Sequence, residues 1–103
     1  MKNRNVVIAD ARALNEITEE LQRARTNHAD FTSAHEGLAV IREEYCELER
    51  EVFLKREHRS AEKMHKEAIQ IAAMAIRFIV DLETDLPFGE SEIMKWNMKE
   101  KPK

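Results

Sequence analysis

The stretch that decides the fold is HKEAIQIAAMAIRFIVDL, residues 65–82. It is apolar from position 68 to position 80 except at Gln70 and Arg77, and Glu67 stands just before this run. The run is only 13 residues long and contains an arginine, whereas a membrane-spanning helix needs about 20 predominantly apolar residues. The pattern therefore predicts a helix buried inside a protein. It also raises the question of what a glutamate and a glutamine one turn apart are holding.

On a helical wheel of about 100° per residue, the apolar side chains of this helix cover almost the whole circle. The polar sector is narrow and holds Lys63, Lys66, Gln70, Arg77 and Asp81. A helix that is apolar nearly all round must be buried nearly all round, and two other helices of one small chain cannot easily surround it. The sequence therefore predicts self-association, either as a dimer of three-helix units or as a tetramer.

Two further helices are predicted before this one. The first runs from about Val6 to about Thr26, with apolar residues at helical spacing. The second opens at Ser33, whose hydroxyl is expected to accept from the backbone N–H of Glu36 while the Glu36 side chain caps Ser33 in return. Apolar residues of the second helix follow one another at steps of three and four, and they predict a core seam of Leu38, Ile41, Tyr45, Leu48 and Val52.

The ends of the elements follow from caps and helix breakers. The second helix is expected to end near positions 54–55. Ser60 is the predicted N-cap of the third helix, which continues to about Thr84 before the proline and glycine of DLPFG stop it. The sequence thus predicts an all-α fold with three main helices, as one domain over residues 1–89. Residues 90–103 are expected to be a C-terminal tail that either docks on a neighbouring subunit as a short helix or is loose.

The composition limits the classes of function. The chain has 103 residues, 36% of them charged, and only two glycines and two prolines, which is typical of a single helix-rich domain. A formal net charge of −3 gives no case for nucleic-acid binding, which usually requires a basic protein. The one cysteine, Cys46, cannot form an internal disulfide, and VVIA is too short for the apolar core of a secretory signal. We therefore expect a cytoplasmic protein with no nucleic-acid or membrane partner.

Acidic side chains gather on two of the predicted helices. Glu44 and Glu47 are three residues apart in EEYCELERE, so they lie on one side of the second helix. Glu67 has the same spacing to Gln70 on the third helix and is expected to face inward. An isolated buried carboxylate is very costly, and hard oxygen ligands suit Mg²⁺ or Mn²⁺. The pattern predicts a helical acidic site for a metal–phosphate ligand.

An ordinary structural interpretation also fits each of these residues. Glutamates on helices are commonly solvated and paired with a cation four residues away, and Arg42 and Arg50 are available as partners. Glu67 could be a half-exposed acid near the start of its helix, where the helix dipole favours it, and Gln70 could be an amide at a subunit interface. What is less common is the combination of an ExxE pair, a gap of 19 residues and an acid that opens an apolar helix.

This combination resembles the MazG-like, all-α nucleoside triphosphate pyrophosphohydrolases, in which ExxE is followed by ExxD after a helix-turn-helix. The runs SAHEGLAVIREEYCELEREV and KEAIQIAAMAIRFIVDL are similar to a small branch of that family found in phages and mobile elements. The resemblance covers residues 30–82. It implies a helical dimer or tetramer whose acids hold Mg²⁺. In that family a water attacks the α-phosphorus of a nucleoside triphosphate, and a monophosphate and pyrophosphate leave.

The resemblance assigns Glu44, Glu47 and Glu67 to the three glutamates of the family, and Gln70 to the position of its aspartate. A glutamine carbonyl can ligate Mg²⁺ but brings no charge, so the motif offers three carboxylates rather than four. Asp81 lies on nearly the same line of the helix, but 11 residues put it about 16 Å away along the axis. The expected consequence is either weaker metal binding or one ion where members of the family bind more, and Glu43 or Glu51 could compensate for the missing charge.

Three more residues are candidates for substrate binding. Arg77 and Lys63 each lie seven residues from Gln70, within about 20° of its line on the helix, where a cation could meet a polyphosphate chain. The alternative for Arg77 is an ion pair, either with Asp81, four residues on, or with an acid of a neighbouring helix. His35 is expected either to line a base pocket or to cap and pack at the start of the second helix.

Two functions remain open from the sequence. The first is a Mg²⁺-dependent nucleoside triphosphate pyrophosphohydrolase, in which Glu44, Glu47 and Glu67 are catalytic and one of them, or Glu43, orients or deprotonates the attacking water. The alternative is a non-catalytic helical oligomer that retains the fold and either senses a nucleotide or binds a protein partner. A coiled-coil adaptor is disfavoured, because a coiled coil needs a narrow apolar seam with polar flanks.

Overall fold

The computed structural model describes residues 5–83, and these residues form three α-helices and no strand. The predicted all-α class with three main helices is confirmed for this part of the chain. In the same residues, no helix combines the length and the apolarity that a membrane crossing requires. The helices are α1 (Val6–Asn27), α2 (Ala34–Val52) and α3 (Ala61–Asp81), with one turn of 3₁₀-helix at Arg56–His58 between α2 and α3.

Each helix begins at a polar cap. Asn5, Ser33 and Ser60 each accept, through the side chain, from the backbone N–H three residues on, at 3.1 Å. The predicted caps at Ser33 and Ser60 are therefore confirmed. The return half of the capping box differs from the prediction, because Glu36 Oε1 accepts from the backbone N–H of Thr32 at 2.7 Å rather than from Ser33. The glutamate thus ties down the connection before α2 one residue earlier than expected.

Both α2 and α3 end earlier than predicted. The second helix stops at Val52 because the chain tightens there, and the N–H of Leu54 donates to the carbonyl of Glu51 at 3.3 Å. The third helix stops at Asp81 in the same way, since the N–H of Glu83 turns back to the carbonyl of Val80 at 3.5 Å. Such three-residue bonds are common where an α-helix ends. The predicted tail at 90–103 lies outside the described residues.

The third helix lies between the other two. Both α1 and α2 pack on α3, whereas no Cα atom of α1 lies within 8 Å of a Cα atom of α2. At the crossing of α2 and α3, Gly37 is buried, and an added Cβ there would lie 2.7 Å from Cδ2 of Phe78. A residue without a side chain therefore lets the two helices approach. The buried apolar side chains of the described residues are few: Ala24, Phe31, Ala73, Met74 and Leu82.

The orientation of α3 differs from the expectation of burial all round. Three of its polar residues face the other elements: Gln70 bonds Glu44 of α2, Arg77 bonds Ala29 in the connection between α1 and α2, and Asp81 bonds Arg25 of α1. Ile79 and Val80, by contrast, are 57% and 49% exposed. The predicted core seam of α2 is also largely exposed. The residues that α2 directs toward α3 and the core are instead Gly37, Val40, Ile41 and Glu44. Ile41 packs on the core and Leu48 is half-buried, but three members are exposed: Leu38, Tyr45 and Val52.

Candidate metal and substrate site

Three carboxylates meet where α2 crosses α3. Glu44 and Glu47 come from consecutive turns of α2, and Glu67 comes from the second turn of α3. One carboxylate oxygen from each lies within 4.8 Å of the others, and all three side chains are half-buried. Oxygens at this separation can share one cation of the size of Mg²⁺ or Mn²⁺. The structure therefore brings together the three glutamates that the sequence singled out.

Gln70 belongs to the same cluster. The amide orientation that satisfies hydrogen bonding directs its nitrogen to Oε2 of Glu44 at 2.7 Å and to Oε1 of Glu67 at 2.9 Å. The opposite orientation would place the amide oxygen against two carboxylates that only accept. Without a cation, the two N–H groups of Gln70 therefore hold the two helices together at the cluster. The amide has to rotate before its oxygen can ligate a metal.

The cluster raises the pKa of Glu44 from its ordinary value of 4.5 to about 7. Partial burial is the main cause, because it disfavours the charged form. Hydrogen bonding with the Glu67 carboxyl comes next, followed by the negative charges of Glu47, Glu67 and Glu43. A pKa near neutrality is useful to a group that exchanges protons in catalysis, and it also indicates that the cluster carries more negative charge than its surroundings neutralise.

A cavity of about 440 Å³ opens beside the cluster, between α1 and the α2–α3 pair. Glu44 and Gln70 line the cavity at the end where it meets the cluster, and Glu43 adds a further acid to the lining. Its apolar side includes Phe31 and Met74, both buried. A cavity of this size, with a few polar groups at one end, is of the kind that binds small molecules.

Arg77 lines this cavity, but its guanidinium is largely occupied by the fold. It is 97% buried, its Nη2 donates to the carbonyl of Ala29 at 2.7 Å, and its guanidinium carbon lies 4.2 Å from the centre of the Phe31 ring. Its Nε lies 3.8 Å from Oδ2 of Asp81. The carboxylate of Asp81 also accepts from Arg25 at 2.8 Å and from the N–H of Phe31 at 3.0 Å. The ion pair proposed as the alternative role of Arg77 is therefore present, as part of a buried network.

The network fixes the connection between α1 and α2, which forms one wall of the cavity. Arg77 bonds the backbone of Ala29, and Asp81 bonds the backbone of Phe31. These two residues therefore position the wall without having to touch a ligand. An arginine that sequence reasoning missed is better placed to meet an anion. Arg23 of α1 lines the same cavity with a half-exposed side chain, and Glu20 is its partner in an ion pair. Nothing in the sequence pattern indicated it, because its position depends on how α1 packs on α3.

The remaining candidates lie in different places. Lys63 is exposed and lines a shallow depression beside the cluster with Glu47 and Glu67, so its predicted role in substrate binding stays a prediction. His35 is exposed and is not among the residues that line the cavity. Glu51 is poorly placed to supply the charge that Gln70 lacks, because it is buried and its carboxylate accepts from the N–H of Ser60 at 2.6 Å.

Comparisons with family models, with curated proteins and with solved structures give no match for this chain. The resemblance to the MazG-like family therefore stays a hypothesis that rests on the quoted motifs.

The raised pKa of Glu44 predicts how the stability of the metal-free protein changes with pH. The folded state holds this proton more tightly than the unfolded state, so the stabilisation is complete below pH 4.5 and is lost as the pH rises toward about 7. We expect Glu44→Gln to flatten this part of the profile, because the amide does not ionise. Thermal unfolding in a chelating buffer measures it. A wild-type profile that runs parallel to that of Glu44→Gln would contradict the assignment.

Truncation of the two arginines that line the cavity is expected to change the free energy of unfolding by very different amounts. Arg77→Met removes a charge-assisted hydrogen bond and a cation–π contact from a buried network, so we expect the free energy of unfolding to fall by about 2–3 kcal/mol. Arg23→Met is the matched control, because an exposed side chain is removed and the expected change is within about 0.5 kcal/mol. Urea denaturation measures both variants. Equal losses in the two variants would show that the Arg77 network does not hold the wall.

Proposed function

We propose that this protein is a Mg²⁺-dependent nucleoside triphosphate pyrophosphohydrolase, which cleaves its substrate to a nucleoside monophosphate and pyrophosphate. The observation that carries the proposal is the convergence of three carboxylates from two helices, within 4.8 Å of one another, at the edge of a cavity of about 440 Å³. The resemblance of the same residues to the MazG-like motif supports the choice of reaction. A cytoplasmic location is part of the proposal and fits the single cysteine.

The charge of the cluster supports a metal. Three half-buried carboxylates at this distance repel one another. The raised pKa of Glu44 comes first from its burial and then from its hydrogen bond with Glu67, and this repulsion adds to it. A divalent cation between them would remove the repulsion, and Glu44, Glu47 and Glu67 would each supply one oxygen. The amide oxygen of Gln70 would supply a fourth after rotation. Once bound, such a cation would polarise a phosphate group of the substrate and hold its charge.

The residues around the cluster suggest where the rest of the substrate lies. The polyphosphate would extend along the carboxylate edge, where Arg23 and Lys63 offer cations at the two sides of the cluster. The nucleoside would enter the cavity and contact its apolar side at Phe31 and Met74. Glu43 lines the cavity without a hydrogen-bond partner among the described residues, so it is available to orient or deprotonate the attacking water.

A second function is favoured by one specific observation. The amide of Gln70 already satisfies two of the three carboxylates, so the cluster can exist without a cation in a way that four carboxylates could not. A protein with such a site could bind a nucleotide weakly and act as a sensor, or serve as a helical module that binds a protein partner. This function predicts nucleotide binding without turnover, or no binding at all, and titration calorimetry distinguishes the two.

Turnover is the first test of the proposal. We expect the purified protein to release pyrophosphate from at least one member of a panel of ribonucleoside and deoxyribonucleoside triphosphates with Mg²⁺ or Mn²⁺. Glu44→Gln and Glu67→Gln should each lower the rate by about a hundredfold or more, because each removes a charged ligand of the cation. No release of pyrophosphate across the panel, or rates unchanged in both variants, would rule the enzyme out.

Gln70→Asp tests whether position 70 is part of the metal site. The variant supplies a fourth carboxylate, so we expect Mn²⁺ to bind more tightly, on the order of tenfold or more. Without metal the same variant should be less stable than wild type, since the added charge replaces two hydrogen bonds. Gln70→Asn is the matched control, because it has the length of aspartate without the charge. Equal Mn²⁺ affinities for the two variants in calorimetry would exclude position 70 from the site.

A further inference from the structure

The guanidinium of Arg77 has more hydrogen-bond donors than the described part of the fold satisfies. Nη2 donates to the carbonyl of Ala29 at 2.7 Å, but Nη1 donates only to the sulfur of Met74, at 3.4 Å. Nε is buried and has no hydrogen-bond partner among the described residues. Sulfur is a weak acceptor, and a buried donor without a good partner is costly. Since Arg77 and Met74 both line the cavity, an acceptor on a bound ligand could supply what the fold does not.

The charges around Arg77 favour a neutral acceptor over an anion. Asp81 lies 3.8 Å from Nε of Arg77 and 2.8 Å from Nη1 of Arg25, and Arg25 also contacts Asp30 at 3.1 Å. Two arginines therefore face two aspartates, and the network has no net charge with which to attract a phosphate. A carbonyl oxygen accepts a hydrogen bond without bringing a charge, so it suits this arginine better.

The distance between Arg77 and the carboxylate cluster suits the base of a nucleotide. Arg77 stands seven residues after Gln70, which is about 10 Å along the helix axis. With the phosphates at the cluster and the ribose beyond them, the far edge of the base reaches the end of the cavity at Arg77. Phe31 and Met74 give that end an apolar side for the flat face of the base. This step rests on the proposed function, in which the phosphates lie at the cluster.

Glu36 offers an acceptor at the same end of the cavity. It precedes Gly37, whose backbone lies against the Phe31 ring on which the guanidinium of Arg77 stacks. Oε1 of Glu36 accepts from the N–H of Thr32 at 2.7 Å and from its hydroxyl at 3.1 Å. Oε2 has no hydrogen-bond partner among the described residues, and Glu36 lines the cavity. This end of the cavity therefore combines a donor with an acceptor.

We propose that the cavity selects nucleobases in which a carbonyl stands next to a ring N–H, namely uracil, thymine, guanine and hypoxanthine. Nη1 of Arg77 donates to the carbonyl in place of the Met74 sulfur, and Oε2 of Glu36 accepts from the ring N–H. Cytosine and adenine present an amino group and an unprotonated ring nitrogen at the same positions. With these bases a donor faces a donor and an acceptor faces an acceptor, and a site built to form such hydrogen bonds rejects the mismatched base.

Binding of uncleavable analogues tests the selectivity without requiring turnover. Calorimetry with Mg²⁺ compares the α,β-methylene analogues of UTP and CTP, and then those of ITP and ATP. Each pair differs only at the base edge that Arg77 and Glu36 are proposed to contact. We expect the UTP analogue to bind more tightly than the CTP analogue, and the ITP analogue more tightly than the ATP analogue, each on the order of tenfold or more. Equal affinities within either pair, or no binding by any of the four, overturn the proposal.

Glu36→Gln tests the base contact while leaving the helix cap in place. The amide oxygen can still accept from Thr32, and the amide N–H group replaces the acceptor that faces the base. We expect the preference within each pair to fall on the order of tenfold, because the amide donates to the ring nitrogen of cytosine or adenine. Glu49→Gln is the matched control, since Glu49 is an exposed residue of the same helix that is not among those lining the cavity. Preferences unchanged in Glu36→Gln, or lost in Glu49→Gln, overturn the assignment.

Arg77→Lys tests the donor. The variant keeps the positive charge but loses the planar set of N–H groups, so it should also lower the preference for the UTP analogue. Circular dichroism checks that it is folded, and Glu36→Gln decides the question where it is not.

The selectivity and the proposed reaction can fail separately. Selective binding of the analogues, without release of pyrophosphate from the natural triphosphates, supports the selectivity and rules out the enzyme. Release of pyrophosphate with equal kcat/KM from UTP, CTP, ITP and ATP supports the enzyme and overturns the selectivity.

Discussion

The inward orientation of three polar side chains of α3, Gln70, Arg77 and Asp81, is the constraint on which the rest of the structure depends. A buried amide, guanidinium or carboxylate is stable only where partners satisfy it. Gln70 finds them in the cluster, Arg77 in the carbonyl of Ala29, and Asp81 in Arg25 and the backbone of Phe31. Ala73 and Met74 of α3 are buried in the core as well, so polar and apolar contacts together set which face of α3 meets α1 and α2.

One rotation of α3 about its axis therefore sets both surfaces of the molecule. Turning Gln70 inward brings Glu67 against Glu44 and Glu47, and it places the cavity between this cluster and α1. The same rotation leaves Ile79 and the alanines of α3 on the outside, next to the exposed row on α2. In this account, the acidic site and the exposed apolar side of the α2–α3 pair are two consequences of one packing arrangement.

Much of this could be predicted from the sequence. Helical period and caps gave the three helices and the starts of α2 and α3, because these signals are local. The ExxE spacing and Glu67 indicated the cluster, since residues three apart share a face wherever the helix packs. The orientation of α3 was not predictable in the same way, because its inner face combines the apolar Ala73 and Met74 with polar residues. Hydrogen bonds and ion pairs to distant residues hold these polar side chains, and helical periodicity does not reveal them. The place of Arg23 in the cavity was not predictable for a related reason, because the other residues that line the cavity come from distant parts of the chain.

The cluster of Glu44, Glu47 and Glu67 is central to the proposed function, in which it holds a divalent cation. A crystal grown with Mn²⁺ and measured at a wavelength where manganese scatters anomalously tests this claim most directly. We predict an anomalous peak within about 2.0–2.4 Å of an oxygen from each glutamate, with the Gln70 amide rotated so that its oxygen faces the ion. An absence of anomalous density at the cluster, with the Gln70 nitrogen still bonded to Glu44 and Glu67, would contradict it.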